Sequence, residues 1–449
     1  MSPARPICTF LIAAICLIGS IPSHAQVTTA TVYGVVQDPT GAVLPGATVV
    51  ATNQGTNLSR ESVTDERGEF AILALPAGAY TLKIELPGFK TYLNQGLQLG
   101  AGQTVRQTFS LAIGQLSENI TVAESAPLVE TASAAQQESI GRQEVTELPL
   151  ARRNLLGLMT LTPGATENST GIAGGGNIRL NGVAEGGTAI TVDGTDAVSN
   201  SETRGTGTYG GQNQISVMSI EAVAEVQVIK GILPAEYGGA AGGQVNMLSR
   251  SGTNTFHGSA FENYQSQAFS ARDPFLPGSA VKPKIRFNQF GGSIGGPIVR
   301  NRVMFFTAYE GYREAAGMSL QGNVPVQQTR DRILAALPMP ETKIALDQLP
   351  LPTEPIDTTI GRYRASKDRE RRDNHVTAKG DVLVWNGNLS VTYTRMRPYT
   401  KMPSIYVANN QKFQNTQDRI ATQYVLSRGS WVSESRFGWN RSTQAGEGE

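Results

Sequence analysis

The sequence predicts a mainly β chain in three parts: a small β-sandwich, a mixed α/β domain, and an antiparallel, membrane-crossing set of about seven or eight barrel strands. Three observations predict it. Short β-favouring runs divided by Gly/Pro turns fill the region up to residue 113. Beyond residue 255 the runs reach about ten residues and alternate between apolar and polar side chains. Between these regions, short strands mix with helical runs.

The chain opens with an export signal, residues 1–25. Arg5 gives a positive start, and "FLIAAICLIGSI" (10–21) is an apolar run too short to span a bilayer as a helix. "SHA" (23–25) supplies the small residues expected before cleavage between Ala25 and Gln26. Both cysteines, Cys8 and Cys16, fall inside this signal. The processed chain is therefore expected to have no disulfide, thiolate nucleophile or Cys-ligated metal. No later apolar stretch approaches ~18 residues, so a membrane form must be a barrel. Lys+Arg 38 against Asp+Glu 37 gives no basic excess to favour a nucleic-acid partner.

Residues 27–113 carry the sandwich. The strand candidates are 30–38, 46–52, 59–65, 68–73, 79–86 and 104–113, with turns at "DPTGAVLPG", "DERG", "LPAG" and "LPG". In 79–86, Tyr80, Leu82, Ile84 and Leu86 share one face, and Thr81, Lys83 and Glu85 the other. Phe89 and Tyr92 are its two expected exposed aromatics. Residues 114–134 read as a polar linker with one short β-run, Ile120, Thr121 and Val122. That run either lends a strand to a partner's sheet edge or is a plain connector.

Residues 135–252 carry the mixed domain. A helix is expected around Arg152–Leu161, stopped by Pro163 and Gly164. Residues 177–197 read as two strands joined by a turn. A helical turn at Ile220–Val223 leads into a strand at Glu225–Ile229, and 243–252 is the last strand. Gly238, Gly239, Gly242 and Gly243 make a tight hinge near its end. "SRSGTN" is the polar exit, and "FHGSAFENYQ" the first wall strand.

Residues 253–449 carry the partial barrel. Leu389, Val391 and Tyr393 oppose Asn388, Ser390, Thr392 and Thr394. Val376, Ala378, Val382 and Val384 oppose Thr377, Lys379 and Asp381. Ile420, Thr422, Tyr424 and Leu426 oppose Arg419 and Gln423; Trp431, Phe437 and Trp439 oppose Glu434 and Arg436. An arginine on the lipid face costs ~2–4 kcal/mol at midplane, so Lys379, Arg419 and Arg436 must face inward or lie near an end. A soluble sandwich with one wet face gives the same alternation. Residues 315–373 are expected as a long external loop, and Asn386-Gly387 as a hairpin turn.

The stretches "GVVQDPTGAVLPGATVVAT" (34–52), "TDERGEFAILALPAGAYTLKIELPGFK" (64–90) and "FSLAI" (109–113) resemble the carboxypeptidase regulatory-like domain, which implies a transthyretin-like β-sandwich. Further on, "LPLARRNLLGLMTLTPG" (148–164), "IRLNGVAEGGTAITVDGTDA" (178–197), "SIEAVAEVQVIKGILPAEYGGAAGGQVNMLSRSGTNTFHGSAFE" (219–262) and "RFNQFGGSIGGPIVRNRVMFFTAYEGYR" (286–313) resemble the TonB-dependent outer-membrane receptors, Oar-like branch. The resemblance implies that 135–252 is an α/β plug domain inside a transmembrane antiparallel β-barrel. The partners it implies are outer-membrane lipid, a TonB-type energy-coupling complex and an unknown extracellular ligand. The sandwich would then be periplasmic, and Ile120–Val122 the candidate coupling segment. Such barrels have about 22 strands. Residues 255–449 supply about seven or eight, so the chain reads as part of a longer receptor or as an early-terminated reading frame.

Catalytic and cofactor signals are lacking. "GTGTYG" (205–210) matches the dinucleotide pattern without its strand and helix. Asp193 and Asp196 in "DGTD" read as a turn rather than a cation site. His24, His257 and His375 are scattered, so no metal site is expected. The leading expectation is energised uptake of an unknown ligand, not enzymatic turnover. The alternative is a carbohydrate-binding or adhesive surface protein, with Phe89 and Tyr92 as a sugar-stacking pair.

Overall fold

The computed structural model describes residues 28–114, 119–122, 135–147, 159, 161–168, 177–183, 188–197, 218–231, 233, 242–271, 284–385, 387–406, 410–428 and 431–448. The Ala25–Gln26 cleavage position, "GTGTYG", Gly238, Gly239 and most of the helix expected at Arg152–Leu161 lie outside them.

The sandwich strands are β1 (Thr29–Gln37), β2 (Thr48–Asn53), β3 (Ser59–Val63), β4 (Glu69–Pro76), β5 (Gly78–Glu85), β6 (Thr91–Leu99), β7 (Thr104–Ser110) and β8 (Asn119–Val122). They form two sheets, β4-β1-β7 and β3-β2-β5-β6-β8. Tyr80, Leu82 and Ile84 of β5 point into the shared core with Val49, Phe70, Ile72 and Phe109, as the alternation requires.

Strand β6 is not among the strands the sequence predicts. Its register against β5 shifts at Tyr80/Thr81, and Gly96 (φ 101°) sits in the resulting bulge. A bulge resets the alternation, which hides the strand from a period-two search. The strand also corrects the sugar-stacking pair. Tyr92 is 8% exposed, and its ring meets Phe109 edge-on at 5.5 Å. Phe89 packs against the same core. Tyr92 fills the sandwich and offers no platform, and Phe89 is half-buried beside it.

The mixed domain holds β9 (Ala135–Gly141), β10 (Ala165–Asn168), β11 (Asn177–Leu180), β12 (Thr188–Val192), β13 (Thr195–Asp196), β14 (Val223–Gly231) and β15 (Gly243–Ser249). Its main sheet runs β13-β12-β15-β14-β9. A 3₁₀ turn at Ile220–Ala222 leads into β14, capped by the Ser219 hydroxyl. The pair expected in 177–197 does not join to itself: β11 pairs with β10, while β12 pairs with β13 and β15. Sequence adjacency does not set the hydrogen-bond partners there; the parallel pairing of β12 with β15 does.

The wall contains β16 (His257–Ser266), β17 (Ile285–Val299), β18 (Val303–Pro325), β19 (Glu354–Pro355), β20 (Ile360–Val384), β21 (Gly387–Met396), β22 (Tyr399–Met402), β23 (Gln411–Arg428) and β24 (Trp431–Gly448). They make one antiparallel sheet, open at β16 and at β24 among the described residues. Inward positions include Phe306, Thr392 and Arg419, all buried; outward ones include Trp431, Phe437 and Trp439, all exposed.

Two expectations shift. The two ends of 315–373, 315–325 and 360–373, are strand, because β18 and β20 stay paired out to Pro325↔Ile360. Only 326–359 is loop, with helices Gln327–Ala336 and Pro340–Asp347. Arg330 ties this loop together by donating to the carbonyls of Pro325 (3.2 Å) and Leu346 (3.1 Å). The β20–β21 turn lies one residue earlier than Asn386-Gly387: Val384 pairs with Gly387, and Trp385 takes the left-handed conformation (φ 51°).

Candidate functional site

The α/β domain lies against the inward face of the wall, and polar groups dominate the contact. Arg419 of β23 donates through Nη2 to the carbonyls of Val192 (2.6 Å) and Thr195 (2.7 Å), and to the Thr195 hydroxyl. Beside it, Asn440 of β24 donates to the Asp196 carbonyl at 2.7 Å. The β12–β13 turn is thus gripped from two wall strands.

Asp193 occupies the left-handed region in that turn (φ 49°). Its carboxylate accepts from the Ser249 amide at 2.9 Å and the Ser249 hydroxyl at 2.7 Å. Lys379 of β20 donates to the Ser249 carbonyl at 3.2 Å. Burial alone would raise the Asp193 pKa, yet the nearby Lys379 charge and the Ser249 bonds hold it below the usual carboxylate value. The Ser249 hydroxyl also meets Thr392 of β21 at 3.3 Å.

A second cluster sits near β16–β18. Ser219 and Gln289 both donate to the buried Glu310 carboxylate. Ser259 donates to Glu221 at 2.6 Å. Arg250 donates to the Glu221 carbonyl (3.3 Å) and to Ser293 (3.2 Å), and lies over the Phe306 ring at 4.7 Å. Burial and the neighbouring Arg142 push the Arg250 pKa down to about 10, against the pull of Glu221. Phe306 and Ala308 supply the apolar part, packing with Met218, Ile220 and Ala222.

The sandwich touches both other parts. Ala101, in the β6–β7 turn, donates its amide to Glu225 at 3.3 Å, and its carbonyl accepts from Gln137 (3.3 Å) and Gln227. Ser139 donates to the same Glu225 carboxylate. At the wall, Asn57 donates to Asn301 at 2.9 Å, and Arg436 and Gln423 each donate to Thr28 at 2.8 Å.

The expected site residues are not brought together. Ile120–Val122 falls in β8, which pairs in parallel with β6 at Thr91–Asn94. Asp193 serves the turn, as expected, and Asp196 offers its carbonyl to Asn440. Among the described residues no group of three or more His, Cys, Asp or Glu is placed to hold a metal. Glu221, Glu225, Ser249 and Glu310 were missed because their partners lie tens to hundreds of positions away in the chain.

Three family descriptions match this chain in order: Carboxypeptidase regulatory-like domain at 31–112, TonB-dependent Receptor Plug Domain at 128–244, and Outer membrane beta barrel domain at 248–338. Its three domains are those of a TonB-dependent receptor. The plug is the α/β domain, and the wall belongs to the outer membrane. The TonB-dependent transporter Oar of Myxococcus xanthus is 28% identical over 302 residues, covering 64% of this chain and 27% of that protein. The probable TonB-dependent siderophore receptor PirA of Acinetobacter baumannii is 28% identical over 215 residues, covering 44% and 26%. The receptor chain thus spans about a quarter of the length of the curated relatives it matches. The crystal structure of the outer membrane transporter YddB from Escherichia coli overlays with a TM-score of 0.47 at 13% identity, over 68% of this chain and 38% of that one.

Proposed function

We propose that this receptor chain takes part in energised uptake of an extracellular ligand through the outer membrane, with the plug as the moving part. The observation that carries it is the polar character of the plug–wall contact. Arg419, Lys379 and Glu310 hold the plug by hydrogen bonds that water can replace, so the plug can leave without exposing a large apolar face. The sandwich then lies on the hairpin-turn side, in the periplasm, after removal of residues 1–25. Ile120–Val122 is the coupling segment, and an inner-membrane partner of TonB type must exchange with β6 to pair with it.

The test needs no ligand. Thr392 is 3% exposed and covered by Ser249 of the plug. The Thr392→Cys variant of the full chain, displayed in a Gram-negative outer membrane, is treated with a membrane-impermeant biotin maleimide. Labelling should rise in energised cells and fall with a protonophore or without the coupling complex. Equal labelling in all three conditions would remove the proposal.

A further inference from the structure

The outward face of the wall ends in arginines. On β18 the outward positions run from Val303 to Gly311 without a charge, and the first charged one is Arg313. The first outward charge is also arginine on β17 (Arg286), β20 (Arg372), β21 (Arg395) and β24 (Arg441). On β16 the first is an acid, Glu262; β23 carries Arg428 at the near end, opposite Trp431, and Asp418 at the far border, opposite Arg395. Ten residues separate Val303 from Arg313, and ten separate Trp431 from Arg441. At ~3.3 Å per residue and a tilt of about 40°, that is ~25 Å along the membrane normal. This is the height of the apolar band of an outer-membrane barrel. The arginines therefore stand at the far border of that band.

Their geometry lacks enough internal acid. Arg313 and Arg372 are directly opposite across the β18–β20 pair, an arrangement that destabilises a sheet unless an anion offsets it. Arg313 is pre-set: its guanidinium lies over Phe290 at 5.7 Å and donates to the Tyr312 carbonyl (2.7 Å), the Asp373 carbonyl (2.8 Å) and Asn374 (2.8 Å). Arg372 meets Glu370 at 3.3 Å, but both are exposed; Arg395 meets Asp418 at 3.5 Å. Arg286 and Arg441 are exposed.

We propose that Arg286, Arg313, Arg372, Arg395 and Arg441 form a basic rim that binds phosphates of lipid headgroups in the outer leaflet. The proposal rests on the wall crossing an outer membrane. A lipid is the occupant because the rim directly borders the apolar band, where a headgroup sits and a free anion gains nothing from the neighbouring face. Bidentate guanidinium–phosphate pairing supplies the chemistry.

Trp439 is an outward reporter two residues from Arg441. The full chain with Trp385→Phe and Trp431→Phe is reconstituted in phosphatidylcholine–phosphatidylglycerol vesicles, with either lipid brominated. Brominated phosphatidylglycerol should quench Trp439 in preference, by about fivefold, the enrichment one arginine gives at a membrane surface. Arg395→Gln with Arg441→Gln should bring the preference near one, and Arg441→Gln alone should lower it partway. Equal quenching by both lipids overturns the rim while keeping the wall in the membrane. Quenching by neither overturns both readings. Loss of the preference on adding inorganic phosphate shows a free-anion site and overturns the headgroup assignment.

Discussion

Arg419 of the wall reaches the Val192 carbonyl of the plug at 2.6 Å, across 227 positions of sequence. One guanidinium serves this carbonyl and the Thr195 carbonyl in a buried setting. Replacing it with Met keeps volume but leaves both acceptors without that donor. Each buried acceptor left so costs ~1–3 kcal/mol. The Ala197 amide, bonded to the Ile190 carbonyl at 2.9 Å, closes this turn. In Arg419→Met its hydrogen exchange should speed up by tenfold or more at constant pH, on the scale those energies set. Unchanged exchange would show that the grip is incidental.

Asp193 makes the plug sensitive to acid. Its folded pKa is lowered from the model-compound value of 3.8. A group with a depressed folded pKa adds stability above its unfolded pKa and loses it as pH falls through the folded one. The thermal midpoint should therefore stay level in this respect from neutral pH down to about 4, and drop below that. Asp193→Asn should start lower at neutral pH and show a shallower fall below pH ~4, because Asn has no proton to gain. Parallel curves for the two proteins would rule out Asp193 as the acid-sensitive group.

Glu225 joins the sandwich to the plug. Its carboxylate accepts from the Ala101 amide and the Ser139 hydroxyl, and Gln227 donates to it at 3.2 Å. Glu225→Leu should loosen the docking of the sandwich while sparing the sandwich core, because no core side chain depends on it. Exchange at the Ala101 amide should accelerate, and exchange at Val32, deep in β1, should not. Acceleration at both positions would mean that the sandwich depends on the plug for its fold.

The three parts and the inward or outward sense of the wall strands were legible because one rule, period-two burial, governs each long strand. Thr392, Arg419 and Trp439 all point as their neighbours in sequence demand. Bulged β6 escaped that rule, and with it went the reading of Tyr92 as exposed. The plug–wall contact was half legible. Lipid cost forced Arg419 and Lys379 inward, but nothing local marks Thr195 or Ser249 as their partners. Those pairings depend on how two domains dock, which a single strand's pattern does not encode.

Gly252 decides whether the plug can hand over to the wall. A Cβ there would meet the Phe305 carbonyl at 2.2 Å, the Phe305 amide at 2.8 Å and the Gly296 carbonyl at 2.9 Å. All three are backbone atoms of the paired hairpin β17–β18, so none can swing aside as a side chain would. Gly252→Ala should therefore force the hairpin apart or displace the exit segment, at a cost above the ~1–3 kcal/mol usual for overpacking. Gly380, on the outward face of β20, is the matched control: a Cβ there meets nothing within 4 Å. Gly380→Ala should be neutral or slightly stabilising, since Ala costs less chain entropy than Gly. Heat-modifiable gel mobility of the full chain in outer membranes reads both variants. A folded band retained by Gly252→Ala at the level of Gly380→Ala would show that the exit segment has room the structure denies it.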